Sequence, residues 1–211
     1  MGNILFHLQF PAPELPNQFI HDTLFESIDG YVVTPFAPGT INFVSGLLTI
    51  DTAGAASAGG RLRKYVDYPG DTLTWTNDRS LEFGCRVEYG NELNATLYIS
   101  MGYNPLTGHG IAIFFTQDKI IGRTGDGTTY ASIDLLTGLV KPWNKEMKLK
   151  IEFEAGIGAS FYIDDVQKGQ ITTPLPSSSA SARNIFDVYV SSVGAITHRI
   201  KLSKAKFTQN L

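Results

Sequence analysis

The feature that most constrains the fold of this chain is the regular alternation of apolar and polar side chains along short segments. In segment 81–89, apolar residues occupy every odd position, and charged residues or glycine occupy the even ones. Side chains of an extended strand point alternately to its two faces, so this pattern predicts a strand with one buried face. The same period of two recurs in segments 96–101, 148–154 and 161–164. The run Ile111–Phe115 is entirely apolar and predicts a strand that is buried on both faces.

Turn signals separate these segments. Gly125-Asp126-Gly127 is typical of the short connections between antiparallel strands. The segment 155–158, Ala-Gly-Ile-Gly, predicts a tight hairpin between Phe153 and Phe161. No window longer than about ten residues keeps an apolar stripe with the helical period. The chain is therefore predicted to be all-β, an antiparallel jelly-roll β-sandwich.

The domain organisation predicted from the sequence has two parts. Residues 1–19 form an extended N-terminal arm, because Pro11, Pro13 and Pro16 disfavour regular pairing. Such an arm would dock on a partner, or it would remain a tail. Residues 20–211 form one β-sandwich domain, since no shift in composition marks a second one.

Charge and composition exclude several classes of protein. The chain has 17 Lys and Arg residues against 20 Asp and Glu residues, for a net charge of −3. The basic residues are dispersed rather than clustered in a stripe, so nucleic acid is not an expected partner. No run approaches the ~18 apolar residues of a membrane span, so no membrane insertion is expected. The single cysteine, Cys85, cannot form an internal disulfide, and its apolar parity predicts a buried small hydrophobe.

The cellular location is left open by the sequence. The first residues lack a basic region, a long apolar stretch and a small-residue cleavage site, so they do not predict a secretory signal. We therefore expect a cytoplasmic protein, or one that is exported as part of a virion or other assembly, unless a signal lies outside this sequence.

The order of segments resembles that of concanavalin A-like lectin/glucanase domains, a superfamily that includes laminin G-like domains. Gly39–Phe43 followed by Gly46–Asp51 is similar to their opening strands, and Leu81–Val87 is similar to their long central strand. Lys148–Phe153 followed by Ala159–Asp165 resembles their characteristic hairpin. The resemblance implies the concanavalin A-like jelly roll. It does not fix a function, because the superfamily contains lectins, glycosidases, lyases and virion parts.

Two details of the resemblance make structural predictions. Asp165 stands where the superfamily usually has glycine, and aspartate tolerates the left-handed backbone of such a turn. The segment His198–Phe207 resembles the C-terminal strand that returns to pair near the N-terminus.

A catalytic role is disfavoured by the same comparison. The laminarinase-like enzymes carry acids at alternate positions of one strand, and the equivalent strand here, Gly110–Phe115, contains none. Glu152 and Glu154 are two positions apart, about 7 Å, which is compatible with an inverting glycosidase. The favoured interpretation is that both are solvated residues near Lys148 and Lys150. No catalytic residue is predicted.

Histidine and aromatic residues near strand ends give further candidates. His109 is the best candidate for a lyase base, although a lone loop histidine is expected to face solvent. The large aromatic residues are expected near strand ends and loops, with the two tryptophans closing the ends of the core: Trp75, Tyr103, Tyr130 and Trp143.

The candidate binding residues are Glu82, Arg86, Glu88 and Tyr98. The first three share the polar face of one predicted strand, and Tyr98 has the polar parity of another. If both strands lie in the concave sheet, these residues line one groove. There, an arginine between two glutamates would bind sugar hydroxyls and the tyrosine would stack on a ring. The alternative is an exposed sheet face stabilised by cross-strand pairs.

A calcium ion is implied by the resemblance, since calcium is common in this superfamily. Asp22, Glu26 and Asp51 occupy a suitable region near the predicted paired termini. Their spacing matches no calcium-loop pattern, so the sequence leaves the metal open.

The function expected from these observations is a non-catalytic carbohydrate-binding or attachment module, as part of a virion or cell-surface assembly. Its partner would be a glycan or another surface ligand, with a homo-oligomer or an assembly partner as a further expectation. A purely structural virion or scaffold protein is the second alternative. A polysaccharide-degrading enzyme is the third.

Overall fold

Every regular element in the described part of the computed structural model is a β-strand. The description covers residues 18–23, 25, 30–65, 74–89, 95–104, 108–137, 143–177 and 184–210. The strands are β1 (Gln18–Thr23), β2 (Val32–Phe36), β3 (Thr40–Val44), β4 (Leu47–Asp51), β5 (Gly59–Tyr65), β6 (Arg79–Tyr89), β7 (Ala95–Asn104), β8 (His109–Phe115), β9 (Ile120–Gly125), β10 (Tyr130–Asp134), β11 (Met147–Glu154), β12 (Gly158–Ile163), β13 (Val166–Ile171), β14 (Asn184–Ser192) and β15 (His198–Asn210). Within these ranges no helix has the length and apolar character needed to cross a bilayer.

The strands form two antiparallel sheets. Sheet A has the order β13-β12-β11-β6-β15-β4-β3, and β1 also pairs with β15. Sheet B has the order β10-β9-β8-β7-β14-β5-β2. The two last strands of the chain enter the interior of the two sheets, β15 between β6 and β4, and β14 between β7 and β5. The predicted all-β antiparallel sandwich is confirmed.

The core lies between the sheets and is built by the alternation seen in the sequence. Along β6, the side chains of Leu81, Phe83, Cys85 and Val87 have no exposure, while the residues between them are half-buried. Strands β11 and β15 repeat this pattern on either side of β6. Each fully buried leucine or phenylalanine side chain contributes about 1.5–3 kcal/mol relative to an exposed one.

Strand β8 is buried on both faces, with one exception. Ile111, Ala112 and Ile113 have no exposure and Phe115 has almost none, as the continuous apolar run predicts. Phe114 is half-buried. Because Phe114 has the parity of Ala112, its ring lies on the outer face of sheet B and not in the core.

The hairpins follow the predicted turns. Glu154 pairs with Gly158 across the β11–β12 turn, at the position predicted from the glycines. In the next turn, Asp164 and Asp165 have φ angles of 50° and 63°, so aspartate does occupy the left-handed region where the superfamily has glycine.

The paired termini are also confirmed in part. Strand β15 pairs with β1 from Gln18↔Asn210 to Thr23↔Ala205. The sheet therefore begins at Gln18, two residues before the predicted domain boundary. Residues 1–17 of the predicted arm lie outside the described residues.

The two tryptophans close the ends of the core, as predicted. Trp75 is 5% exposed and packs edge-on against Phe153, with ring centroids 5.2 Å apart. Trp143 packs against Phe115, and its Nε1 donates a hydrogen bond to the carbonyl of Gln117 at 3.1 Å.

Candidate functional site

The single groove predicted from Glu82, Arg86, Glu88 and Tyr98 does not form. The first three lie on β6 in sheet A, and Tyr98 lies on β7 in sheet B. All four have the parity that points away from the core, so they lie on opposite outer faces of the sandwich. The prediction of a shared surface is wrong, because alternation gives the face of a strand but not the sheet to which it belongs.

On the outer face of sheet A, Arg86 and Glu88 belong to a network of ion pairs. Arg86 Nε lies 2.9 Å from Glu88 Oε1, and Lys201 Nζ donates to the same oxygen at 2.8 Å. Arg199 contacts Glu88 at 3.6 Å and Asp51 at 2.5 Å. Burial raises the pKa of Glu88, but Lys201, Arg86 and Arg199 outweigh it and the net pKa is lowered. This arrangement matches the alternative of a face stabilised by cross-strand pairs.

Glu82 lies in a second, separate ion-pair group on the same face. Lys148 Nζ contacts Glu82 Oε2 at 3.3 Å and Asp165 Oδ1 at 2.8 Å. The three groups are at least partly exposed, so each contact contributes little to stability.

Glu152 and Glu154 line an open cleft of about 270 Å³ together with Asp78. Glu152 is paired with Lys150 and hydrogen-bonded to Tyr162. Burial raises the pKa of Glu152, yet these two partners outweigh it and lower the pKa overall. A general acid needs a raised pKa, so the geometry favours the solvated, structural interpretation of this pair.

The predicted calcium ligands are only partly described. Asp51 binds Arg199 through Oδ2 and accepts a hydrogen bond from the Ala53 amide through Oδ1 at 2.7 Å. Glu26 and the side chain of Asp22 lie outside the described residues. In the described ranges, no three acidic, histidine or cysteine side chains cluster in a way that would hold a metal ion.

The outer face of sheet B carries two transverse rows of side chains. Each row follows the strand register across several neighbouring strands, so it runs perpendicular to the strands. The aromatic row consists of Phe114, Tyr98, Tyr189 and Arg61. The small row consists of Arg123, Ala112, Ser100, Asp187 and Arg63.

The aromatic row is a continuous series of ring contacts, of which one is stacked and the others are tilted. The rings of Tyr98 and Tyr189 are nearly parallel, 8° apart, with centroids at 5.2 Å. Phe114 lies 5.3 Å from Tyr98 on the other side, and Phe36 lies 5.5 Å from Tyr189. Tyr98 is only 1% exposed, whereas Phe114 and Tyr189 are half-buried. Tyr98 is therefore the buried middle ring of the row, and its two neighbours keep part of their ring surface exposed.

A buried ion pair lies between the two rows. Arg61 donates from Nε to Asp187 Oδ1 at 3.0 Å and from Nη2 to Asp187 Oδ2 at 2.5 Å. The Asp187 side chain has no exposure, and burial raises its pKa against the opposing effect of Arg61. Burial also opposes the charge of Arg61, but Asp187 outweighs it and raises the pKa of the guanidinium. Because the contact is bidentate, we take the pair as ionised at neutral pH.

The two ends of the small row are arginines held against aromatic rings. The guanidinium of Arg123 lies 4.5 Å from the Phe114 ring centroid and 4.6 Å from that of Tyr130, and its Nε donates to Ser132 Oγ at 3.1 Å. Tyr130 is 63% exposed. At the other end, Arg63 Nη1 donates to the Tyr65 hydroxyl at 2.7 Å. Such cation–π contacts fix the position of a guanidinium while leaving its edge available.

Sequence reasoning proposed only Tyr98 of this surface as a binding residue, and it named Tyr130 only as an aromatic residue near a strand end or loop. Phe114 gave no signal, because the continuous apolar run of β8 does not distinguish outward-facing residues from inward-facing ones. The arginines and Tyr189 do carry a usable signal, because Arg61 and Arg63 alternate with Leu62, and Tyr189 alternates with buried valines. That Arg61, Arg63 and Tyr189 share one face follows only from the order of the strands in sheet B.

His109 is not solvent-facing, so that prediction is wrong. It begins β8, is 6% exposed, and its Nε2 accepts a hydrogen bond from the Ser177 amide at 3.2 Å. Burial lowers its pKa, and the nearby Asp126 opposes this effect. The histidine ties segment 172–177 to sheet B and has a structural role. The side chain of Tyr103 lies outside the described residues.

Comparison with solved structures identifies the fold. The chain matches the CBM2 module of the evolved Dit of Lactobacillus casei BL23 phage J-1, with a TM-score of 0.62 and 14% identity over 92% of this chain and 98% of that one. It also matches a structure of botulinum neurotoxin type C, with a TM-score of 0.59 and 10% identity. Cell entry of that toxin depends on interaction with two ganglioside molecules. A third match is the binding domain of botulinum neurotoxin DC in complex with SialylT, with a TM-score of 0.60 and 8% identity.

The neurotoxin matches cover most of this chain but less than half of each toxin chain. The chain is covered to 84% in both neurotoxin matches but spans only 42% of each neurotoxin chain. No protein-family model and no curated protein sequence matches the chain. At such low identity the similarity establishes the fold alone, which is the concanavalin A-like sandwich implied by the sequence resemblance.

Proposed function

We propose that this protein is a non-catalytic carbohydrate-binding or attachment module whose ligand lies on the outer face of sheet B. The observation that carries the proposal is the pair of transverse rows, which places partly exposed ring surface beside guanidinium groups and around the buried ring of Tyr98. Glycan sites combine these two elements, because sugar rings stack on aromatic faces and sugar hydroxyls bind planar polar groups.

The rigidity of the surface favours binding. Phe114 and Tyr189 pack on the buried ring of Tyr98, and Arg61 is fixed by Asp187. Side chains that are already ordered lose little conformational entropy when a ligand binds. Most of the surface therefore needs no rearrangement to accept a sugar chain.

The phage module supports a role in attachment. The similarity extends over 92% of this chain and 98% of that carbohydrate-binding module. We propose that the present chain serves likewise as the binding module of a virion or surface assembly. Glu82, Arg86 and Glu88, on the opposite face, are the competing location for the ligand.

A glycan array with purified protein, first with calcium and then with a chelator, tests the proposal. We expect specific glycan binding that Tyr189→Ala or Phe114→Ala weakens by roughly tenfold or more, as for hot-spot aromatic residues. Arg86→Ala on sheet A is the matched control and should leave binding unchanged. If only Arg86→Ala abolishes binding, the ligand lies on sheet A instead. Absence of any bound glycan in both conditions would support the purely structural alternative.

A further inference from the structure

The arginines at the two ends of the small row differ from the three cations that are paired around Glu88 and Asp51 on sheet A. On the outer face of sheet A, Arg86, Arg199 and Lys201 all contact carboxylates within 3.6 Å. Neither Arg63 nor Arg123 takes part in an ion pair within the described ranges. Asp187 lies across the strand pair from Arg63, but its oxygens are bonded to Arg61.

These two cations are an unexpected feature of an acidic chain. Acidic residues outnumber basic ones by 20 to 17, so carboxylate partners are abundant. Among the residues that the structure describes on this face, the other acid is Asp134, which is engaged by Lys119 at 3.7 Å and by the Leu136 amide at 2.9 Å. The outer face of sheet B therefore has an excess of positive charge that the described residues do not neutralise.

Both guanidinium groups are held in place without using all of their donors. Arg123 uses Nε for Ser132, and its plane is held between Phe114 and Tyr130. Arg63 uses Nη1 for Tyr65 and its Nε is buried, so Nη2 is the donor that remains available to a ligand. An arginine fixed on a ring with free N–H groups presents a planar donor edge, which matches carboxylate, sulfate and phosphate groups.

The spacing of the two arginines sets the shape of the ligand. They lie in one register row, Arg123 to Ala112 to Ser100 to Asp187 to Arg63, which spans four strand intervals. At about 4.8 Å per interval, their Cα atoms are roughly 19 Å apart. A ligand that reaches both must be an extended chain with more than one negative charge, lying across the strands.

We infer that the ligand of the sheet B face is an acidic oligosaccharide, whose negative groups bind Arg63 and Arg123 while its rings lie along the aromatic row. This inference rests on the proposed function, because it specifies the chemical class of glycan that the same face binds.

Calorimetry with matched pairs of oligosaccharides tests the inference. Each pair differs only in charge: an oligouronate and its methyl ester, a sulfated chain and its unsulfated form, and a phosphate-bearing chain and its dephosphorylated form. We expect the acidic member of at least one pair to bind about tenfold or more tightly than its neutral partner. The pair that responds identifies the anionic group.

Variants locate the charge recognition. Arg63→Gln and Arg123→Gln should each weaken binding of the acidic chain by about tenfold and remove most of its preference over the neutral one. Arg123→Lys keeps the charge but not the planar fork, so its affinity should be intermediate. Arg86→Gln is the matched control on sheet A and should have no effect. Thermal unfolding of each variant verifies that the fold is retained.

Failure of the charge inference can be distinguished from failure of the proposed carbohydrate-binding function. Equal binding of acidic and neutral members, with Tyr189→Ala still disruptive, would overturn the charge inference and leave the carbohydrate-binding function standing. If no member of any pair binds and the array is also blank, both fail together. Acidic binding that Arg86→Gln removes while Arg63→Gln does not would assign the charge recognition to sheet A, and the inference would be wrong.

Discussion

Removing the carboxylate of Asp187 should destabilise the protein far more than removing that of Glu88 on sheet A. The Asp187 side chain has no exposure and Arg61 has 20%, so the pair is largely withdrawn from water. Deleting one partner of a buried pair leaves the other charge uncompensated, which costs about 3–5 kcal/mol. For a domain of this size, 1 kcal/mol corresponds to about 2–4 °C in Tm, so Asp187→Ala should lower Tm by roughly 6–12 °C even at the lower limit.

Glu88→Ala is the matched comparison, since Glu88 is also an acid that accepts from cations on an outer sheet face. Its partners Arg86 and Arg199 have side chains 43% and 39% exposed. Their charges are screened by water when Glu88 is lost, so the expected cost is about 1 kcal/mol. Equilibrium urea unfolding of both variants and the wild type measures the difference directly. Losses that agree within 1 kcal/mol would refute the assignment of Asp187 as a buried, ionised partner.

The reciprocal variant adds a pH test. In Arg61→Ala the Asp187 carboxyl stays buried without its partner, so burial raises its pKa above the ordinary 3.8. The folded state then binds a proton more readily than the unfolded state. The free energy of unfolding is therefore highest below pH ~4, and it decreases as the pH rises through the folded-state pKa of Asp187. Wild type should show a weaker slope, and equal slopes would contradict the ion pair.

Three further predictions concern the core and its edges. Because burial lowers the pKa of His109, the unfolded chain protonates first and stability should fall as pH drops below about 6.5, a slope that His109→Gln should lack in urea titrations. Gly122→Ala would place Cβ 2.8 Å from the Phe161 ring, so unfolding should show a loss of about 1–3 kcal/mol. Burial raises the pKa of Cys85, so its thiol should react with a disulfide reagent only after denaturation, and rapid reaction of the native protein would contradict the placement.

Most of the fold could be predicted from the sequence because the core depends on a local rule. The inward parity of Leu81 to Val87 follows from the period of two alone, and the hairpin whose turn begins after Glu154 follows from the glycines of segment 155–158. The turn at Asp165 also followed from residue chemistry, since aspartate tolerates the left-handed backbone. Each of these features is decided within a few residues of chain.

The candidate site could not be predicted in the same way, because it depends on strand order. Tyr98 and Arg86 have the same parity, yet they lie on opposite faces of the sandwich. Tyr98 meets Tyr189, which is 91 positions away, only because β14 enters sheet B beside β7. His109 failed for a related reason. Its burial comes from segment 172–177 folding back on β8, which no local pattern indicates.

The two outer faces both carry arginines, but on sheet A they are paired with carboxylates and on sheet B Arg123 is held by aromatic rings. This difference favours one face over the other for a ligand. On sheet A, the charges of Arg86, Glu88 and Lys201 satisfy one another, so a ligand must break ion pairs before it can form its own. On sheet B, Arg123 is fixed by rings and Ser132, not by a carboxylate, so an incoming anion gains a contact without displacing one. A binding face is favoured where the cost of desolvation is already met by rigid neighbours and the charge remains unpaired. By that criterion we propose the outer face of sheet B, and not the face of sheet A that carries Arg86, as the binding face.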